Sequence, residues 1–255
     1  MLSSWPRHLA NELRRAFYLQ RRYWFEGLLG LGLLLSLFGG LLYAVLSVSG
    51  SALASGEADG LIVGFVLWVF AASAFGSVCQ DVQEETEQRS LEQLSLGPLP
   101  LWALLSLRAM LKLLGGLLML GLTLWLAEWL TGGRLQISHG QVLAAALLAV
   151  PALIGVGYAL GGLLLLVKKA ELLLVVCYPA VIGLVALSAY PINAQALLPY
   201  ALGAAAARAS AAGATLPPSV FGWIALNSLA YLLAGLVIYG LLERRARRLG
   251  VLGHF

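Results

Sequence analysis

The chain has 255 residues, of which 60% are hydrophobic and only 11% are charged. Soluble domains usually carry about 25% charged residues, so this composition excludes an ordinary soluble protein. The net charge of +4 is small and the bases cluster at segment ends, which argues against a nucleic-acid partner.

The first 26 residues predict an amphipathic helix that lies in the membrane interface. Leu9, Leu13 and Phe17 recur every fourth residue, and Trp24 follows two turns later. Bases on such a helix reach lipid phosphates while its aromatic rings lie at headgroup depth. The alternative is a basic leader that only fixes the topology. The residues predicted to contact lipid are Arg14, Arg15, Phe17, Arg21, Arg22 and Trp24.

The rest of the chain predicts an all-α integral membrane protein with about six transmembrane helices. A helix needs about 20 apolar residues to cross a bilayer. The apolar runs that meet this requirement lie near 27–48, 60–79, 101–126, 141–167, 172–190 and 221–242. We therefore expect residues 1–26 to form the interfacial helix and residues 27–255 to form a single six-span domain.

The distribution of Lys and Arg predicts the orientation of these spans. If the N-terminus is cytoplasmic, all 16 bases except Arg134 and Arg208 fall on or near the cytoplasmic side. Cytoplasmic loops of membrane proteins carry the excess of bases. Both termini are therefore predicted to be cytoplasmic, in a multi-pass protein of the inner (plasma) membrane.

A densely charged segment, EETEQRSLEQLSLGPLP at 84–100, separates the second and third predicted spans. If residues 82–96 form a helix, Glu85, Arg89 and Glu92 share one ridge, and the Gly-Pro pair that follows would end it. A short charged helix at the cytoplasmic surface would suit docking of a soluble domain. The alternative is a solvated loop whose acids only improve solubility.

This segment resembles the signature of type 2 ATP-binding-cassette exporter permeases. The residues that match are Ser90, Leu91, Glu92, Leu94 and Pro98. Arg108 stands where the family carries a Lys, and Arg89 replaces a Gly. The six-span layout, the N-terminal helix and the basic tail ERRARRLGVLGHF are also similar to this family. The haem-exporter permeases of cytochrome c maturation are the second-best resemblance.

The resemblance implies a dimer of permeases bound to cytoplasmic ATP-binding-cassette ATPase subunits. Residues 82–97 would then be a coupling helix, and VKKAE at 167–171 a second cytoplasmic contact. Residues 191–218 would form short re-entrant helices that cap the path from outside. For that segment the alternative is a helix lying on the outer leaflet. The residues assigned to coupling are Glu84, Glu85, Glu87, Arg89, Ser90, Leu91, Glu92, Leu94, Pro98, Lys168 and Lys169.

No catalytic site, metal site or cofactor is predicted in this chain. None of its three lysines follows a glycine, as the lysine of a phosphate-binding loop must. We therefore expect ATP and Mg to be bound by the partner. The middles of most spans carry no acid, which disfavours a stand-alone ion-coupled transporter. A membrane anchor without transport activity is the remaining alternative.

Two further features have competing interpretations. Arg108 and Lys112 lie one helical turn apart near the start of the third span. They either extend to inner-leaflet phosphates or face a cavity and attract an anionic lipid or substrate headgroup. Gly157 and Gly161 form a GxxxG pair, which predicts close packing within the protomer rather than a dimer seam.

Overall fold

The computed structural model describes residues 5–48, 57–88, 91–95, 99–130, 138–167 and 171–250. Every regular element within these ranges is a helix, which confirms the all-α prediction. Four of the helices there are long and apolar enough to cross a membrane. The chain divides into two compact units, one ending at Ala58 and the other beginning at Asp59.

Within residues 5–48, the first unit forms two helices, α1 (Trp5–Arg22) and α2 (Trp24–Val48). The break between them falls at Tyr23, so Trp24 belongs to the apolar helix α2 rather than to the predicted N-terminal helix. The basic residues Arg21 and Arg22 occupy the last turn of α1, where they complement the negative end of the helix dipole. Phe17 is 66% exposed. Its ring is therefore accessible for contact with lipid or with another protein surface.

The second unit contains seven α-helices and one 3-10 helix in the parts of the chain described. They are α3 (Glu57–Glu87), α4 (Leu91–Ser95), α5 (Leu101–Leu130), α6 (His139–Leu164), α7 (Glu171–Ala186), the 3-10 helix Ala194–Leu197, α8 (Ala201–Ala211) and α9 (Pro218–Leu249). The helices that meet the length and hydropathy requirements for spanning are α3, α5, α6 and α9.

Several helices differ in length from the predicted apolar runs. α9 continues through the basic tail to Leu249, because the tail is rich in Arg and Leu, which are good helix formers. α7 has only 16 residues and ends at Ala186. It is therefore shorter than the predicted 172–190 span.

Glycines on α6 allow two neighbouring helices to approach its backbone closely. A Cβ at Gly157 would lie 2.7 Å from the backbone oxygen of Phe75 on α3. On another face of α6, Gly155 lies against the backbone of α9 at Tyr231 and Gly235. The GxxxG pair therefore packs within the protomer, as predicted, because small residues remove the side-chain layer between helices.

The alanine-rich segment after α7 is packed inside the second unit. All residues of α8 from Ala201 to Ala207 are buried, and Gly203 contacts Ala149 on α6. This burial contradicts the alternative of a helix lying on an outer surface. Arg208 on α8 donates a hydrogen bond to the Leu187 carbonyl, and partial burial lowers the pKa of its guanidinium.

Candidate functional site

Two ion pairs join α3 to α5. Arg108 Nη1 lies 2.6 Å from Glu85 Oε1, and Lys112 Nζ lies 3.0 Å from Asp81 Oδ1. The two acids are four residues apart on α3 and the two bases are four residues apart on α5, about 6 Å along each axis. The later acid pairs with the earlier base, so the helices run antiparallel. We call these four residues the ionic ladder.

The two rungs of the ionic ladder differ in their exposure to solvent. The side chains of Arg108 and Glu85 are 9% and 5% exposed, so this pair lies in surroundings of low dielectric. The side chain of Lys112 is 38% exposed while that of Asp81 is 6% exposed. Lys112 Nζ also approaches the carbonyl oxygen of Ser77 at 3.4 Å. The second rung therefore lies at the boundary between the packed interior and the surface.

The structure gives Arg108 and Lys112 a position that neither sequence interpretation included. Both cations bind acids of their own chain, and Lys112 retains an accessible surface besides its ion pair. The sequence analysis also missed Asp81 and the burial of Glu85. A signal was present, because two acids spaced by four in the sequence, Asp81 and Glu85, precede two bases spaced by four on the next predicted span.

The charged segment is not the continuous helix predicted for residues 82–96. α3 extends without interruption to Glu87, a turn follows at Gln88, and α4 begins at Leu91. Glu84 and Glu87 are exposed on the last turn of α3, whereas Glu85 is buried on the opposite side. Glu85 therefore binds Arg108 of α5 within its own chain, which leaves Glu84 and Glu87 as the exposed acids of this turn.

The two leucines of the signature also differ in their surroundings. Leu91 is 1% exposed, so it packs within its own chain instead of offering an apolar anchor to a partner. Leu94 is half-buried and retains an accessible surface. Five of the other predicted coupling positions lie outside the described residues: Arg89, Ser90, Pro98, Lys168 and Lys169. For Glu92 the backbone is described and the side chain is not.

A polar contact near the start of α5 ties this helix to α6. The hydroxyl of Tyr158 on α6 lies 2.6 Å from Ser106 Oγ and donates to the Trp102 carbonyl at 3.0 Å. The Tyr158 ring packs edge-on against Tyr239 of α9, with centroids 5.4 Å apart. These contacts therefore join the N-terminal end of α5 to α6 and α9.

The last turns of α9 form one wall of a groove of about 580 Å³ beside Trp102. Arg247 holds Glu243 with two hydrogen bonds, at 2.6 and 3.1 Å. Arg244 lines the same groove. The ladder, the tyrosines and this arginine-lined groove thus gather the polar groups of α3, α5, α6 and α9 at one end of these helices.

The chemistry of this site is electrostatic and mechanical. Across the described ranges, no group of three or more His, Cys, Asp or Glu side chains is placed to hold a metal ion. What the ladder can do is hold α3 and α5 together as one body. Comparisons with family models, curated proteins and solved structures found no match to this chain.

Proposed function

We propose that this chain is the membrane-spanning permease subunit of an ATP-driven exporter. Two copies would form the translocation path, and separate cytoplasmic ATPase subunits would bind ATP and Mg. α2, α3, α5, α6, α7 and α9 would be the six spans, with both termini cytoplasmic and α1 lying in the interface of the plasma membrane. The support comes from the signature residues and from the charge distribution of the sequence.

The observation that carries this proposal is the position of the ionic ladder relative to α4. The signature segment lies directly between α3, which carries Asp81 and Glu85, and α5, which carries Arg108 and Lys112. Because the ladder joins these helices, a force applied to α4 by a partner moves them as one body. A movement of ATPase subunits could then alter the path between two permease copies.

The exposed groups around α4 define where a partner would bind. Glu84 and Glu87 are exposed, and Leu94 is half-buried. These residues offer acids for bases on the partner and a small apolar contact. Leu91 would have a different role, since its burial anchors α4 to the rest of its own chain and allows the force to be transmitted.

The proposal is tested by capture of an ATPase subunit that carries a Walker A loop and is encoded beside this chain. We expect the purified chain alone to show no ATP hydrolysis, and the complex to hydrolyse ATP. Glu84→Lys with Glu87→Lys should weaken capture most at low salt, because repulsion between exposed charges is screened as salt increases. Glu128→Lys is a control for charge reversal away from this surface, since this acid lies near the opposite end of α5, where it faces His139 at 3.4 Å.

Robust ATP hydrolysis by the chain alone, after removal of contaminants, would contradict the assignment of catalysis to a partner. Equal capture by the wild type, the double variant and the control, at every salt concentration, would contradict the proposed docking surface.

The burial of Asp81 and Glu85 supports a second candidate, a stand-alone ion-coupled transporter. Buried acids in a spanning helix are typical of proton and ion pathways, although Asp81 and Glu85 lie in the last two turns of α3 and not in its middle. Each acid is already paired with a base, which favours a structural role. Transport by the reconstituted chain alone, driven by a pH gradient without ATP, would favour this second candidate.

A further inference from the structure

A second, separate cavity of about 460 Å³ lies between α9, the 3-10 helix Ala194–Leu197 and the start of α8. It is on the opposite half of α9 from the arginine-lined groove. Among the described residues, its walls are mostly aliphatic and aromatic and include no charged side chain. The lining residues are Ile192, Asn193, Ala196, Leu197, Leu202, Trp223, Leu226, Asn227, Ala230 and Tyr231.

Hydrogen bonds hold the 3-10 helix in place as one wall of this cavity. Asn227 Nδ2 donates to the Ala196 carbonyl at 2.7 Å, and the Tyr231 hydroxyl donates to the Leu197 carbonyl at 3.1 Å. Asn193 is satisfied at both ends of its amide, because Nδ2 donates to the Ser188 carbonyl and Oδ1 accepts from the backbone of the 3-10 helix. These hydrogen bonds therefore fix the 3-10 helix as one wall of the cavity.

One polar atom of this wall has no protein partner among the described residues. Asn227 Oδ1 is buried and accepts no hydrogen bond. The amide cannot be reversed to relieve it, since the Ala196 carbonyl only accepts and must face Nδ2. Buried polar groups in proteins are almost always hydrogen-bonded, so an unsatisfied acceptor beside a cavity points to a missing donor.

We propose that this cavity binds a molecule with an apolar chain and a neutral hydroxyl that donates to Asn227 Oδ1. The apolar walls suit a hydrocarbon body, and the buried Asn227 Oδ1, which has no protein donor among the described residues, is left for one donor. A charged headgroup is disfavoured, because the described residues that line the cavity include no charged side chain to balance it. This inference is independent of the exporter proposal, since it depends only on the packing of the 3-10 helix against α9.

The site can be tested by photoaffinity labelling of the full chain in phospholipid vesicles. The probes are a long-chain alcohol with a diazirine in its chain and the methyl ether of the same alcohol. We expect the alcohol to label the peptides that line the cavity about three- to tenfold more than the ether, the range that one hydrogen bond supplies. Labelling by bulk lipid contact would not distinguish the two probes.

Three variants separate the hydrogen bond from the shape of the cavity. Asn227→Leu should abolish the preference for the alcohol. Ala230→Trp should fill the cavity and reduce labelling by both probes. Tyr231→Phe is the matched control, because it removes one hydrogen bond to the 3-10 helix and leaves the Asn227 acceptor intact, so the preference should remain.

Two results would overturn the proposal. One is equal labelling of the wild type by the alcohol and the ether. The other is an undiminished preference for the alcohol in Asn227→Leu. Two competition experiments identify the source of the hydroxyl. Unlabelled soluble alcohol competes if the natural ligand is a small amphiphile, and a hydroxyl-bearing glycerolipid supplied in the vesicle competes if it is a membrane lipid.

Discussion

Neutralising one member of the buried rung of the ionic ladder should destabilise the protein strongly. Glu85→Gln keeps the shape of the side chain but removes the charge that Arg108 faces at 2.6 Å. Arg108→Gln removes the opposite charge. Each single variant removes one half of this buried charge pair, which is costly because the surrounding helices exclude water.

The size of the effect follows from the geometry of the pair. Unit charges about 4 Å apart attract by about 4 kcal/mol at an effective dielectric constant of 20. Loss of one partner of a buried pair is measured at about 3–5 kcal/mol. At about 2–4 °C per kcal/mol for a chain of this size, either single variant should unfold at a temperature lower by about 6–20 °C.

The assay follows the reaction of Cys79 with a thiol-reactive dye as the detergent-solubilised protein is heated. Cys79 is fully buried on α3 and becomes accessible on unfolding. Cys177 is replaced by Ser so that a single thiol reports. Glu84→Gln is the matched control, since it neutralises an exposed acid on the same turn of α3 and should change the unfolding temperature little.

The double variant Glu85→Gln with Arg108→Gln completes a thermodynamic cycle. It should recover more than half of the loss, because no uncompensated charge remains buried. Equal unfolding temperatures for Glu85→Gln and Glu84→Gln would refute the reasoning. Strictly additive losses in the double variant would also refute it, since they would mean that the two side chains do not interact.

Three further predictions concern the coupling segment, the helix packing and the topology. Leu91→Ala should lower the unfolding temperature, because it removes a buried side chain at a cost of about 2–5 kcal/mol. Leu94→Ala should leave stability nearly unchanged and weaken capture of the ATPase subunit. The reverse pattern would contradict the burial of Leu91 and the accessibility of Leu94. Gly157→Ala should destabilise the protein by about 1–3 kcal/mol, because the added Cβ meets a backbone oxygen of α3. Gly115→Ala should be neutral or slightly stabilising in the same thermal assay, because its added Cβ meets nothing within 4 Å. In intact cells, an impermeant thiol reagent should label a cysteine placed at Ser49 and should not label one in the C-terminal tail; labelling of the tail from outside would reject the predicted orientation.

The sequence alone determined the helical class and most helix positions. Long apolar runs require a structure that satisfies every backbone polar group internally, and a helix does so within one segment. Hydropathy located the apolar part of each helix but not its ends. α3 continues to Glu87 because Glu and Gln are good helix formers, so the helix persists where the apolar character stops.

For the candidate site, the sequence singled out Arg108, Lys112 and the acids near Glu85, but it did not identify their partners. Helical periodicity shows which residues share a face of one helix, and it carries no information about which neighbouring helix that face meets. Only the tertiary structure paired Asp81 with Lys112, turned Leu91 inward and left the buried Asn227 Oδ1 without a donor among the described residues. These features depend on how helices distant in the sequence pack against one another, because close packing decides which side chains become buried between helices.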